Sequence, residues 1–447
     1  MQVRTAAGSS GGRPWARVAA RGFAFSCFFP YPALAIGNTT GLQLSQALSL
    51  AAVPFLCART PGRPLRALLL LLGPIALSAS FNLTFGDLPA PDIIPKESIA
   101  LVLALAVLGP AEWVAGRDLF RETLAAAGAA IVVHALIGLY QVYSFAHDEF
   151  PLLFLFQNPS MSMEDCHKIY AQYIKRPCGL FPEASAMTAA LGPWFVLLAG
   201  LCLDPSSGRG FGWRGKKFAA AALALGSVLI ALSRSGATFA IMAAVLVACA
   251  AKVPSWSHSL TAGKCLALAL VLTAAVAAVG YGASHLMGGF DDRVEASWGI
   301  RTLTIRTGLT ANTDPFSLAF GVGPGQSALI IMRELAGVPL PEDQYQLAVF
   351  SLTVCYYMET GLLGGLALLA VLAMVVRAIA RSSAVLLGLC TLGTWLVGVA
   401  VTTSYMPLSA IWLFLGVLLS WDRLFPTRPD TAAAFDKTES DEPTSPH

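Results

Sequence analysis

Apolar residues in this sequence come in blocks of membrane length, not in the stripes of an amphipathic helix. Ala67–Leu77, Ile99–Leu108 and Leu266–Val279 each run without a single charged side chain, whereas a surface helix of a soluble protein repeats its apolar face every three or four residues. Charge is correspondingly scarce. Asp, Glu, Lys and Arg make up 12% of the 447 residues, about half the ~25% usual in soluble domains, and the mean hydropathy is +0.66. So little polar surface cannot coat a soluble protein of this size. The fold class is therefore read as an all-α polytopic membrane protein. Disordered, fibrous, disulfide-stapled and nucleic-acid-binding classes are excluded, and no nucleic acid is expected as a partner.

A spanning helix takes about 20 mostly apolar residues. Segmentation gives about twelve spans, near 18–36, 40–58, 65–81, 97–114, 121–145, 184–203, 218–233, 235–251, 265–285, 347–376, 384–402 and 405–421. Lys and Arg set the orientation. Most of the 29 basic residues, including Arg21, Arg63, Arg121, Lys216, Arg377 and Arg423, fall on the side that carries both ends of the chain. The N- and C-termini are therefore expected in the cytoplasm. The first apolar run lacks a small-residue cleavage site and is read as a retained span, not a removed signal peptide. Residues 1–423 form one polytopic membrane domain. Residues 424–447, polar and Pro-rich without periodicity, read as a disordered cytoplasmic tail.

The outer side holds two long loops, 146–183 and 286–346, rich in both acidic residues and Trp, Tyr, Phe, Leu and Ile. Loops of that length carry function or are disordered, and this aromatic content argues for function. Nine basic residues sit on this side against the positive-inside tendency, among them Arg176, Arg234, Arg301, Arg306 and Arg333. Arg234, in Leu232–Gly236 between two closely spaced apolar runs, either pairs with an anion or snorkels to the interface. Arg301 and Arg306 lie in Trp298–Gly308, which reads as a short helix. Five residues of separation put them about 140° apart on it. Guanidiniums suit bidentate phosphate binding, but the same arginines are placed to neutralise Asp291, Asp292 and Glu295.

Phe320–Gly325 is a Gly-rich turn with Gly321, Gly323 and Gly325. It lacks the GK[ST] sequel of a phosphate loop, so a tight turn in a packed loop is the stronger reading. Glu183 and Glu359 stand at the outer ends of expected spans, suited either to proton transfer or to helix capping. His134, in mid-span, reads as hydrogen-bonded filler. The nine cysteines show no CxxC pair and no Cys/His cluster at metal spacing. Cys166 and Cys178 share the 146–183 loop, and are either bridged, if that loop faces an oxidising compartment, or two independent thiols.

Four segments, taken in order, resemble the O-antigen ligase/polymerase (WaaL/Wzy) superfamily of bacterial envelope proteins: Arg176–Ser185, Leu232–Gly236, Arg301–Arg306 followed by Pro315–Gly325, and Glu359–Gly364. The family carries an R-x-x-G-x-F segment before a span and an SR-S/G turn between two spans. Its long periplasmic loop bears an arginine-flanked helix and an F-G-x-G-x-G turn, and the next span opens with E-x-G-x-x-G. The resemblance covers about residues 176–366. It implies a metal-independent glycosyltransferase without cofactor in the bacterial inner membrane, working at the periplasmic face. The donor is an undecaprenyl-pyrophosphate-linked glycan and the acceptor a glycolipid, with membrane lipid around the site and a chain-length regulator as a further partner. Residue by residue, it places Arg234 and Arg301 on the pyrophosphate, with Arg176, Arg306, Gly323 and Gly325 as further substrate contacts. Glu183 and Glu359 are the candidate bases.

Two departures separate the members of that family. Ligases that act on lipid A-core carry a His about nine residues before the E-x-G-x-x-G glutamate, where this chain reads Ala348–Leu352. Glu183-Ala184-Ser185 is similar to the E-P-S of exopolysaccharide polymerases, with Ala for Pro. Both departures favour a polymerase over an O-antigen ligase. A lipid-linked glycan transporter is the expectation from a different class, but neither the inverted repeats nor the mid-membrane broken helices of transporters are legible in the sequence.

Overall fold

The computed structural model describes residues 14–31, 33–36, 40–57, 62–86, 90–158, 167, 171, 175–203, 215–233, 235, 292–334, 349–402 and 408–427. The chain is mostly helical. In order, the elements are α1 (Pro14–Ser26), β1 (Ala33–Ile36), β2 (Thr40–Gln43), α2 (Leu44–Cys57), α3 (Arg63–Phe85), α4 (Ile93–Leu105), α5 (Leu108–Val114) and α6 (Phe120–Phe145). There follow α7 (Ala184–Leu203), α8 (Lys216–Ser233), α9 (Asp292–Thr310), α10 (Pro315–Phe320), α11 (Ser327–Glu334), α12 (Leu352–Ala380), α13 (Val385–Val397) with a π turn to Thr402, α14 (Ser409–Leu419) and α15 (Trp421–Leu424).

Among the described residues, five helical stretches are long and apolar enough to cross a membrane: α3, α4 with α5, α6, α7 and α12. Helices α8, α13 and α14 are apolar but shorter. The expected spans 235–251 and 265–285 lie outside the described residues. The expected spans 18–36 and 40–58 take a different form. Helix α1 stops at Ser26, and α2 is reached through an antiparallel hairpin pairing Ala33 with Gln43 and Ile36 with Thr40. Pro30 and Pro32 explain the stop, because each removes a backbone donor and fixes φ. The Ala33 amide bonds instead to the Gln157 carbonyl at 2.9 Å.

Helix α14 lies at the centre of the bundle, with all eleven of its residues buried. A helix apolar on every side belongs there. Trp194 of α7 meets Phe414 edge-on at 4.9 Å, and Ser409 is held by Ser45 at 2.7 Å and Gln43 at 3.1 Å. By contrast, α12 exposes Leu362, Leu363, Leu366, Leu369 and Val376, and α3 exposes Leu69, Leu70, Leu77 and Phe85. Outward stripes of this kind are lipid-facing surface. The chain is embedded in a membrane.

Two polar belts bracket the apolar bundle. At one end Arg63 grips both oxygens of Asp422 (2.8 and 2.7 Å), Arg423 reaches Glu112 (3.3 Å), and Arg21 and Arg121 share Glu122 (2.5 and 3.1 Å). At the other end Asn82 of α3 and Gln141 of α6 are buried in hydrogen bonds to loops. Arg63 to Asn82 and Glu122 to Gln141 are each nineteen residues along one helix. At 1.5 Å per residue that is about 28 Å, close to the ~30 Å of a hydrocarbon core.

The loop expected over 286–346 contains three helices, α9 to α11. The short helix read around Trp298–Gly308 is in fact nineteen residues long. Of the tail expected over 424–447, residues 428–447 lie outside the described residues, and its first residues are packed. Leu424 and Phe425 are buried, and the Ser383 amide donates to the Phe425 carbonyl at 2.8 Å.

Candidate functional site

Helix α12 breaks about two and a half turns after its start. Ser351 caps it, accepting from the Val354 amide at 3.2 Å. At Gly361 the backbone leaves the helical region, with φ 67° and ψ −160°. A break of this kind strips preceding carbonyls of their intrahelical partners, and buried carbonyls must find others. The Gly-rich turn supplies them. Val322 N donates to Met358 O at 2.9 Å and Gly323 N to Glu359 O at 3.2 Å. Ser78 Oγ of α3 adds a bond to Glu359 O at 2.6 Å, while Asn82 Nδ2 holds the Gly321 carbonyl at 3.2 Å. The turn and the opening of α12, two motifs distant in sequence, form one hydrogen-bonded unit against α3.

The Glu359 carboxyl points into this unit and is 5% exposed. Its Oε1 accepts from Ser327 Oγ at 2.6 Å and from the Cys355 thiol at 3.7 Å, and the Gly325 amide is also directed at it. Glu97 of α4 approaches from the other side. A Cβ on Gly325 would fall 2.4 Å from Glu97 Cγ, and the two carboxyls are near enough to interact. Glu359 thus ties the turn at Gly325 to the first residue of α11. Gly323 and Gly325 have positive φ (96° and 78°) and face protein: a Cβ on Gly323 would meet Ile94 and Asn82.

Glu183 and Arg176 belong to a second unit, the segment before α7. Gln141 stitches it to α6 through three bonds of 2.9 Å, accepting from the Cys178 and Gly179 amides and donating to the Gly179 carbonyl. His134 is a structural hydrogen bonder. Its Nδ1 accepts from the Leu180 amide at 3.1 Å, so its Nε2 carries the proton and donates to Phe28 O at 3.1 Å. Gly179 (φ 58°) is required there, since a Cβ would sit 2.6 Å from His134 Nδ1. Glu183 stands half-buried before the first turn of α7, its carbonyl accepting from the Met187 amide at 3.0 Å and its carboxylate accepting from Ser185 Oγ. A helix N-terminus favours negative charge. Arg176 is half-buried two residues before Cys178.

The bridge considered between Cys166 and Cys178 is not made. Cys178 is a free, buried thiol facing Gln141, and burial pushes it up to about 12. Cys166 lies outside the described residues.

Arg234 also lies outside them. Its neighbour Ser235 is bonded through Oγ to Thr188 Oγ1 at 2.8 Å, and Thr188 bonds back to Ala184 O. Ser235 is therefore tied to the first turn of α7, beside Glu183. Arg301, half-buried on α9, lays its guanidinium over Phe350 at 4.6 Å, within cation–π range. Arg306 is exposed on the same helix. Helix α9 docks on the start of α12 through Gly308, which packs on Val354 and Val349, and Asn312 then reaches the Tyr357 carbonyl at 3.4 Å.

Sequence reading missed Glu97, Ser327, Asn82 and Gln141. Asn82 and Gln141 carried a usable signal, as uncharged polar groups inside apolar helices that need a partner. Ser327 carried none. Among the described residues, no group of three or more His, Cys, Asp or Glu is placed to hold a metal ion. No family model matches the chain, and no curated protein matches it.

Proposed function

We propose that the chain is an inner-membrane polysaccharide polymerase of the O-antigen ligase/polymerase type. It would transfer a glycan from undecaprenyl pyrophosphate to a lipid-linked acceptor sugar at the periplasmic face. The observation that carries the reading is the union of Phe320–Gly325 with the Glu359–Gly361 break. Two of the motifs on which the resemblance rests are held together there by backbone bonds, at the end of the bundle away from the belt of basic residues.

In this reading the acceptor hydroxyl attacks the anomeric carbon of the donor. The new glycosidic C–O bond forms as the anomeric C–O bond to pyrophosphate breaks, and the hydroxyl proton passes to a carboxylate. Glu183 is the better base of the two candidates. It is half-buried at a helix start, whereas the Glu359 carboxyl is interior and committed to Ser327 and Gly325. Arg234 and Arg301 hold the departing pyrophosphate, with Arg176 and Arg306 as further contacts. Guanidiniums fixed before the reaction stabilise charge as it develops, with little reorganisation.

The test uses purified full-length protein with lipid-linked substrate and no ion gradient. A new glycosidic bond supports the reading. Movement of substrate across liposomes without bond formation replaces it with a transporter. In a deletion strain, single repeats still attached to lipid A-core indicate a polymerase, and lipid-linked polymer with no attached repeats indicates a ligase.

A further inference from the structure

The belt of basic residues contains an unassigned cleft. Glu122, in the first turn of α6, is buried, and its two oxygens are divided between two arginines. Arg21 takes Oε2 through Nε and Nη2, and Arg121 takes Oε1 through Nε. That leaves Arg21 Nη1 and both terminal nitrogens of Arg121 uncommitted among the described residues. The Arg21 side chain is 61% exposed although its partner is 7% exposed. Clefts of about 560 and 710 Å³ open on either side of Arg21, and Arg17 lines the second. Among the described residues Glu122 is the one acidic residue along either cleft, so three guanidiniums against one carboxylate leave two positive charges there.

The clefts exist because α6 has almost no side chains there. Its sequence from residue 125 is Ala-Ala-Ala-Gly-Ala-Ala, and the Phe218 ring comes so close that a Cβ on Gly128 would lie 2.8 Å from it. Away from the arginines the walls are apolar, and Val18 and Phe218 on their rims are exposed.

We infer that the cleft lined by Arg21 and Arg121 binds an anionic phospholipid, with its phosphate against those two guanidiniums, an acyl chain along the small-residue face of α6, and Arg17 of the adjoining cleft adding positive charge beside Arg21. The apolar walls select a lipid over free phosphate. The charge balance selects an anionic headgroup over a zwitterionic one, because Glu122 is buried and doubly paired and so has no free oxygen for a choline cation. The inference does not depend on the reaction proposed above.

The test is native mass spectrometry of the full chain, purified in mild detergent and offered equal phosphatidylglycerol and phosphatidylcholine. The wild type is expected to retain phosphatidylglycerol selectively. R17Q/R121Q, which leaves the Arg21–Glu122 pair intact, is expected to lose about twenty-fivefold in retention, at roughly fivefold per arginine near an anionic lipid surface. Ala125→Leu fills the cleft without altering charge and should also lose retention. It decides the matter if the double variant does not fold. Equal retention of the two lipids, full retention by Ala125→Leu, or displacement of phosphatidylglycerol by equimolar inorganic phosphate would each overturn the inference.

Discussion

Gly321 and Gly361 meet backbone to backbone. A Cβ on Gly361 would lie 2.5 Å from the Gly321 amide nitrogen, and one on Gly321 would lie 2.3 Å from the Glu359 carbonyl carbon. Both residues also have φ near +70° with ψ near 180° (76°/−177° and 67°/−160°), a region open essentially to glycine alone. Neither the space nor the dihedral admits a side chain, so Gly361→Ala should destabilise the protein by about 1–3 kcal/mol from backbone strain alone, with the clash added. Gly393→Ala on α13, where a Cβ would meet nothing within 4 Å, is the matched control. Thermal unfolding in detergent compares the two, and an unchanged midpoint for Gly361→Ala would remove the interlock.

Glu359 and Glu183 should respond differently to amide substitution. Glu359→Gln keeps an oxygen to accept from Ser327 and Gly325, so stability and turnover should stay within a few-fold of wild type. Glu359→Ala should loosen residues 315–334, visible as faster hydrogen exchange. Glu183→Gln should abolish turnover with the fold intact, as loss of a general base costs about 10²–10⁴-fold. The reverse pattern would move the base to Glu359.

Arg301→Lys and Arg234→Lys should lose activity by about a hundredfold, the scale of one charge-stabilising donor, while inserting normally. Lysine keeps the charge but not the planar fork. Phe350→Leu should weaken Arg301 more gently, because a half-exposed cation–π contact is worth about 0.5–1 kcal/mol. Full activity in either lysine variant would make that arginine structural.

Acidification should release helix α10 through its cap. Asp314 accepts from the Phe316 and Ser317 amides at 2.9 and 3.0 Å and from the Ser317 hydroxyl. The Ser317 hydroxyl, with the Ser317 and Phe316 amides, holds the carboxyl below its ordinary value of 3.8. A lowered value stabilises the folded cap above 3.8, and the benefit fades as pH falls through the folded value. Hydrogen exchange over 315–320 should be slow at pH 5 and quicken below about 3.8. Asp314→Asn keeps a capping oxygen and should flatten that dependence.

Cys178 should resist maleimide in the folded protein and react only on unfolding. Its thiol is buried and raised by that burial, and the thiolate is the reactive form. Peptide mass mapping without reductant should find residue 178 unbridged. Labelling of Cys178 at neutral pH without unfolding would contradict its burial.

The five long apolar helices were legible because a bilayer demands such helices whatever their neighbours. The hairpin after Ser26 was signalled by Pro30 and Pro32, but apolar residues around them masked it. The glycines of Phe320–Gly325 announced a turn, yet nothing local named its partner, since Met358 and Glu359 acquire free carbonyls only through the distant break at Gly361. Glu97 and Ser327 were illegible for the same reason. Their roles come from α4 and α11 converging on Glu359, and such convergence leaves no periodicity in the chain. For Cys178 the sequence left two readings open. Proximity to Cys166 suggested a bridge, but the thiol turns toward Gln141.

The equal spacing of the two polar belts on α3 and α6 gives the molecule a fixed hydrophobic thickness. Asn82 and Gln141 are locked into loop backbone at one end, and Arg63 and Glu122 into ion pairs at the other, so neither helix slides freely to suit a different bilayer. Mismatch costs fractions of a kcal/mol per ångström, and here that strain would fall on the Gly321–Gly361 junction and on the Gln141 stitch before α7. Acyl-chain length thus becomes a control on site geometry. Lipids whose hydrocarbon core is near 28 Å should hold the segments joined to Asn82 and Gln141 in place, while thicker or thinner membranes pull them apart.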